Sequence, residues 1–402
     1  MRADVELVSL TGNSGCRLQD GNKLMKTSPL RIVAAGCMLA VGAGMLVFVA
    51  SQNNAGQRDF ISYWAAGKQL IHHANPYDGA AIMSLEHTAG YDLNYRLIMR
   101  NPPEALFMAL PLGFVKPNAG LILWLIALLA SLVASIRMLW ILHGRPDNRL
   151  HLLGYCFAPV MECLMAGQLG IFMLLGVVLF LYFQLSRPFL AGSALLLCAV
   201  KPHLFLPFGI VLLLWAIGQK AYRILAGFFV ALFVTYALTF HFDSHAWSQY
   251  SQMIGTSGIM NEIVPTLSEV FRLLVYRQAV WLQFLPEAVG CAWAVWYFLA
   301  QRSRWNWMDQ GLLLLLVSVM CSPYALFPDE AVLAPAILAG LYRADHSGRS
   351  LLPFGLFAGV AVVEVFAKIS MTTFFYLWTV PAWFAWYLYA TRGRSAEIVP
   401  AG

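Results

Sequence analysis

Charge is scarce in this chain, and the residues able to do chemistry collect in five short stretches. The first is QRDFISYWAAGKQLIHHANPYD at 57–78, where Asp59 follows Arg58 and precedes Phe60, Tyr63 and Trp64, with Tyr77 further on. A carboxylate beside a wall of aromatics is suited to take a proton from an incoming hydroxyl. The rings of Tyr63, Trp64 and Tyr77 offer stacking faces for a flat ligand such as a sugar ring. Two plainer readings fit equally. If 60–71 is a helix, Asp59 is its natural N-cap, and the aromatics would make an interfacial belt.

The second stretch, YRLIMRNPPEAL, sets Arg96 and Arg100 before Asn101-Pro102-Pro103. Guanidinium forks match phosphate oxygens, whether on a substrate or on anionic lipid headgroups. In ECLMAGQLG, Glu162 and Gln168 occupy a turn predicted between two apolar helices. Polar groups at membrane depth are costly, and serve either function or helix packing. In LLLCAVKPHLFL, Lys201 has apolar flanks, with Pro202 and His203 breaking the helix after it. Such a lysine snorkels to the interface or meets an anion. The fifth stretch, CSPYALFPDEAVLAPAIL, carries Tyr324 and the pair Asp329-Glu330. Two adjacent carboxylates do not by themselves make a metal site, so no metal ligands are assigned and no cofactor is expected.

The motifs that would announce other chemistry are missing. The sequence holds no Gly-rich phosphate loop, no HExxH, no GxSxG, no CxxC pair and no DxD. Together these absences argue against a nucleotide donor and a metal-organised nucleotide-sugar site. The seven cysteines lie mostly within or beside apolar runs and are read as packing residues. The net charge of +6 reflects membrane topology rather than a nucleic-acid surface.

The elements that must position these residues follow from composition. Of 402 residues, 60% are hydrophobic and 11% charged, against about 25% charged in a soluble domain. Solid apolar runs such as GLLLLLVSVM indicate an all-α polytopic membrane protein rather than a barrel. Candidate spans lie near 31–50, 118–140, 150–166, 169–186, 189–201, 203–219, 223–241, 285–300, 309–321, 331–343, 351–368 and 371–390. The run PPEALFMALPLGFV is short and interrupted by Pro111, which suits an interfacial or re-entrant segment. If it does not cross, the later loop arginines fall on the side of the basic amino-terminal tail. The positive-inside rule then favours about twelve spans with both termini cytoplasmic. The expected plan is a cytoplasmic tail at 1–30 and a transmembrane module at 31–241 that includes an external loop at 51–117. A second external loop at 242–284, helices at 285–390 and a tail at 391–402 complete it. The five reactive stretches then share the external side.

The pattern Asp-Phe, Tyr-Trp, Ala-Gly and Pro-Tyr-Asp in the first loop, followed by Pro-Pro leading an apolar helix, resembles the first external loop of glycosyltransferase family 87. The later GQLGIFMLLGVVL, AVKPHLFLPFGIVLLL and SPYALFPDEAVLAPAIL fit that family's order, so the resemblance runs over roughly 30–345. It implies a GT-C fold and a hexosyltransferase that takes a sugar, in this family mannose, from a polyprenyl phosphate. The acceptor would be a hydroxyl of a glycolipid or envelope glycan, at the outer face of a bacterial plasma membrane. Asp59 stands where the family has its base. The family often has a histidine after Ser-Pro, and this chain has Tyr324. In such a site Lys201, Arg96, Arg100 and His203 would face the lipid phosphate. Arg58, Tyr63, Trp64, Tyr77, Asn101, Glu162, Gln168, Tyr324 and Asp329 would surround the sugar and acceptor. Two other classes accommodate the same polar groups: a transporter or lipid flippase, and a lipid-glycan ligase or polymerase. The first predicts internal repeat symmetry, and none is evident in the sequence.

Overall fold

Proline opens many of the helices of this protein. Pro117, Pro159, Pro188, Pro207, Pro286, Pro335 and Pro353 each stand in a first turn, where the missing N–H has no helical partner to lose. The computed structural model describes residues 58–92, 97–256 and 262–392. The expected span at 31–50, Arg96 and both ends of the chain, 1–57 and 393–402, lie outside the described residues.

In chain order the helices are α1 (Phe60–Ile71), α2 (Gly79–Thr88), α3 (Leu106–Gly113), α4 (Pro117–Leu142), α5 (Ala158–Ala166) and α6 (Gly170–Phe183). They continue as α7 (Pro188–Ala194), α8 (Leu196–Ala199), α9 (Leu206–Gly218), α10 (Tyr222–Phe242), α11 (Ala246–Thr256) and α12 (Leu267–Val275). The last five are α13 (Leu285–Gln301), α14 (Gln310–Cys321), α15 (Ala334–His346), α16 (Leu352–Phe366) and α17 (Thr379–Thr391). No strand occurs among the described residues, and tight 3-10 turns at Pro103–Ala105, Pro202–Leu204 and Phe327–Leu333 carry the polar stretches.

The segment expected as a first loop with juxtamembrane helices contains α1 and α2 among its described residues. Asp78 caps α2 by accepting from the N–H groups of Ala80 and Ala81 at 2.9 and 3.3 Å. α1 lies against α3 at very close range, since a Cβ on Gly67 would stand 2.0 Å from the carbonyl oxygen of Ala109. Trp64 Nε1 donates to the Val115 carbonyl at 2.9 Å, and Lys68 Nζ to that of Gly113 at 3.3 Å. The pair α1–α3 is thus one hairpin tied by glycine contact and side-chain bonds. Helix α3 has eight residues, about 12 Å of length against a hydrocarbon core of about 30 Å.

Among the described residues, two helices have the length and apolarity to cross a membrane, α4 with 26 residues and α10 with 21. Their outer faces present large apolar side chains, among them Leu123, Ile126 and Val133 on α4 and Phe229, Phe233 and Val234 on α10, with Phe233 69% exposed. Apolar faces of this extent are the mark of a lipid-facing surface. The other apolar helices are shorter. The expected spans at 150–166 and 189–201 are each broken: the first into a 3-10 turn and α5, the second into α7 and α8. Helix length alone therefore does not deliver the twelve crossings that charge distribution suggests. Broken helices survive at membrane depth only where neighbours cover their freed backbone groups, and α5, α7 and α8 all pack on α6.

Candidate functional site

Asp59 stands one residue before α1 with φ −58° and ψ −23°, and its side chain makes no capping bond. The turn is closed by Ser62, whose N–H and hydroxyl both reach the Asp59 carbonyl, at 3.1 and 2.8 Å. The carboxylate is thereby free of the capping role open to it in the sequence. It points instead to Gln168, whose Nε2 donates to Asp59 Oδ2 across 109 positions of chain.

Gln168 owes its place to the turn between α5 and α6. Gly167 ends α5 with φ +73°, in the left-handed region, and a Cβ there would lie 2.8 Å from Cβ of Phe60. Only glycine fits both demands. The Gly167 carbonyl accepts from Trp124 Nε1 at 2.7 Å, and the same Trp124 stacks on Tyr63 with ring centroids 5.3 Å apart. Tyr63 closes the circuit by donating its hydroxyl to Gln168 Oε1 at 3.1 Å. Helix α4 thus supplies one indole that holds both the glutamine turn and the tyrosine beside it.

On the far wall, Lys201 precedes the Pro202–Leu204 turn. It is 8% exposed and bonds through Nζ to Asp329 Oδ1 at 2.6 Å. Asp329 is fully buried, and its Oδ2 accepts from the Leu326 N–H at 3.0 Å. The third wall comes from Arg100, whose Nη2 bonds Glu262 Oε1 at 2.6 Å and whose Nη1 reaches the Tyr324 hydroxyl at 3.3 Å. Asn101 next to it donates to the Val200 carbonyl at 2.7 Å, which fixes the arginine segment against the lysine segment. Asp59, Tyr63, Arg100, Asn101, Gln168, Lys201, His203 and Tyr324 all line one cavity of about 400 Å³. That volume falls within the range of about 300–1,000 Å³ found for small-molecule sites.

Burial pushes the Asp59 carboxyl above its ordinary value, opposed by the Gln168 bond and by the charges of Lys201 and Arg100. Burial likewise lifts the Tyr324 phenol to about 12, so it stays neutral. His203 sets its ring edge-on to Tyr324 at 5.9 Å, and its Nε2 is buried with no hydrogen-bond partner among the described residues.

Other residues expected at the site stand behind or beside it. Trp64 and Tyr77 are buried at 4% and 3% exposure and do not line the cavity. Trp64 ties α1 to the α3 end, while Tyr77 donates to the Asn101 carbonyl at 2.9 Å. Their amphipathic rings are used as braces, a role the sequence does not separate from ligand stacking. Arg58 donates to the Met165 carbonyl at 2.7 Å, and Glu162 is half-buried on α5; neither lines the cavity. Asp329 touches the cavity only through Lys201. Glu330 is taken up internally, accepting from Thr379 at 2.5 Å and Trp383 at 3.0 Å.

Six polar lining residues were not singled out in the sequence: Ser62, Tyr250, Glu262, Gln283, Ser370 and Thr372. Glu262 lies in the segment between α11 and α12, 162 positions from the arginine it pairs with. An acid in a polar loop carries no local sign of such a partner. Gln283 donates to the Pro323 carbonyl at 2.5 Å, and the Ser322 hydroxyl to that of Tyr324 at 2.9 Å, so both steady the Tyr324 turn.

The model of glycosyltransferase family 87 matches residues 100–323 of the chain. Arg100, Asn101, Gln168, Lys201, His203 and Glu262 fall inside that stretch, and Asp59, Tyr324 and Asp329 outside it. No curated protein and no solved structure matches the chain.

Proposed function

Because the chain belongs to glycosyltransferase family 87, we propose that it transfers a hexose, mannose by the family resemblance, from a polyprenyl phosphate to a hydroxyl of a lipid-linked or envelope glycan, with inversion. The observation that carries this reading is the Asp59 carboxylate lining a cavity that Lys201 and Arg100 also line, where the other lining acid, Glu262, is paired with Arg100. One acid suffices for an inverting displacement that needs a base and no nucleophile.

The step runs as one displacement. The acceptor hydroxyl gives its proton to Asp59, and its oxygen forms a bond to the anomeric carbon. The bond from that carbon to the phosphate oxygen breaks on the opposite face. The electron pair leaves with the polyprenyl phosphate, and fixed cations stabilise the charge that develops there. A phosphate is a good leaving group, so no separate acid is required, and no metal is invoked. Of the two cations, Arg100 is the readier to accept the phosphate. Its partner Glu262 has a side chain 34% exposed and can be solvated, whereas Asp329, the partner of Lys201, has none of its side chain exposed. Lys201 then serves mainly as a fixed charge on the cavity wall. An external, plasma-membrane site fits a donor whose head lies at the interface and whose tail lies in lipid.

The test is a screen of synthetic polyprenyl-phosphate sugars with a membrane glycolipid extract, read by mass spectrometry. Asp59→Asn is expected to lower turnover by about a thousand-fold or more while donor binding stays within about two-fold, as for loss of a general base. Turnover near that of the parent protein would reject Asp59 as the base. Failure of every polyprenyl-phosphate sugar as donor would reject the donor class.

A further inference from the structure

The carboxamide of Gln168 has no obvious use in a displacement between two hydroxyl-type oxygens, yet it is among the most carefully held polar groups in the protein. Its side chain is inside the fold, with 6% of the residue exposed. Its backbone is pinned twice to Cys163: the Gln168 N–H donates to the Cys163 carbonyl at 3.0 Å, and Cys163 Sγ donates to the Gln168 carbonyl at 3.0 Å. Gly167 before it can only be glycine, and Trp124 grips the Gly167 carbonyl.

The amide is also oriented. Tyr63 donates to Oε1 and Nε2 donates to Asp59 Oδ2. Turning the amide over would set its carbonyl oxygen against a carboxylate oxygen, two acceptors in contact. Burial holds the Tyr63 phenol far from ionisation, so it remains a donor. Gln168 takes up Oδ2 of Asp59, which leaves Oδ1 as the carboxylate oxygen without a bond to Gln168 on a residue that lines the cavity.

We infer that Gln168 is a positioning residue, oriented by Tyr63, that aims the Asp59 carboxylate and leaves one chosen oxygen to receive the acceptor's proton, rather than a contact to the sugar. The inference rests on the reading of Asp59 as the base. A donor to the ionised carboxylate favours its charged form, so Gln168 also counters the effect of burial on Asp59. Gln168 and Tyr63 together form a short relay from the aromatic wall to the carboxylate.

The experiment measures the Asp59 carboxyl directly. Purified protein is treated with a water-soluble carbodiimide and an amine across a pH series, and labelling of Asp59 is read by peptide mass spectrometry. Carbodiimides react with the protonated acid, so the labelling curve titrates it. In Gln168→Met, which keeps the volume and removes the donor, half-maximal labelling is expected at a proton concentration about ten-fold lower, the worth of one hydrogen bond to a charged group. Gln168→Glu keeps an acceptor for Tyr63 and adds a like charge, so its curve should move further in the same direction. Tyr63→Phe should move it least, because the amide loses only its orientation. These three variants are independent, so one that fails to fold leaves the others to decide. Curves that coincide with that of the parent protein would overturn the inference.

Transfer from polyprenyl-phosphate mannose gives the second readout. Gln168→Met is expected to lower kcat about ten-fold or more with donor and acceptor KM within about two-fold, since removing a positioning bond acts on the transition state alone. A rise in KM with unchanged kcat would instead make Gln168 a ligand contact and overturn the proposal. If the parent protein transfers no sugar from any polyprenyl phosphate, the donor reading falls, while the labelling curves still decide the Gln168–Asp59 bond.

Discussion

A carboxylate is useful as a base only if it is ionised and has a free oxygen, and burial works against the first of these. In this protein burial is the largest influence on Asp59 and raises its pKa, with Gln168, Lys201 and Arg100 opposing. Activity that needs the ionised form is present above the raised value and is lost as pH falls through it. The acidic limb of a pH–rate profile should therefore lie above the ordinary carboxylate range, which a profile of kcat/KM measures. Lowering Lys201 to a neutral residue removes one opposing charge and should move that limb further up. The second residue-scale prediction concerns Glu262. Its pairing with Arg100 occupies the fork that would meet a phosphate, so Glu262→Gln should lower donor KM about two- to five-fold, the worth of a partly exposed ion pair. An increase in donor KM would show instead that Glu262 holds Arg100 in its working orientation.

At the scale of elements, the site depends on how four pieces of backbone meet: the start of α1, the turn between α5 and α6, the Lys201–Pro202 break, and the 3-10 turn that carries Asp329. The α5–α6 turn is the most demanding. Gly167→Ala adds a Cβ at φ +73° and 2.8 Å from Phe60. Left-handed strain alone costs about 1–2 kcal/mol for an alanine, and relief of the contact would push α1 away from Gln168. The variant is expected to unfold at lower temperature in detergent and to lose more turnover than stability, because the Asp59–Gln168 bond spans the displaced boundary. Unchanged turnover would mean that the turn does not set the geometry of the carboxylate. The Lys201 break is of the same kind: the chain there is neither α8 nor α9, the Val200 carbonyl beside it is met by Asn101, and the Lys201 ammonium by Asp329.

For the whole molecule, α4 is the longest apolar helix described and its 26 residues extend about 39 Å, enough to cross. A reporter attached after Lys116 should therefore read as external and one after Gly144 as cytoplasmic, the two ends of that helix. Both reporters on one side would reverse the placement of the cavity and defeat a donor presented at the outer face. Much of this architecture could be read from residue types. Apolar runs with sparse charge made the chain helical and membrane-embedded, because a bilayer leaves the backbone few other ways to satisfy its hydrogen bonds. The helix at Phe60–Ile71 and the break at Lys201-Pro202 were legible from local chemistry, and the acids, arginines and lysine that line the cavity mostly stood out as costly residues in apolar surroundings. Local pattern could not show whether Asp59 caps a helix or faces a ligand, which of the aromatics brace and which line, or that Glu262 meets Arg100. Those outcomes rest on contacts between residues 24 to 162 positions apart, and only packing of α1 against the α5–α6 turn, and of the segment around Arg100 on that around Glu262, brings the most distant partners within bonding distance.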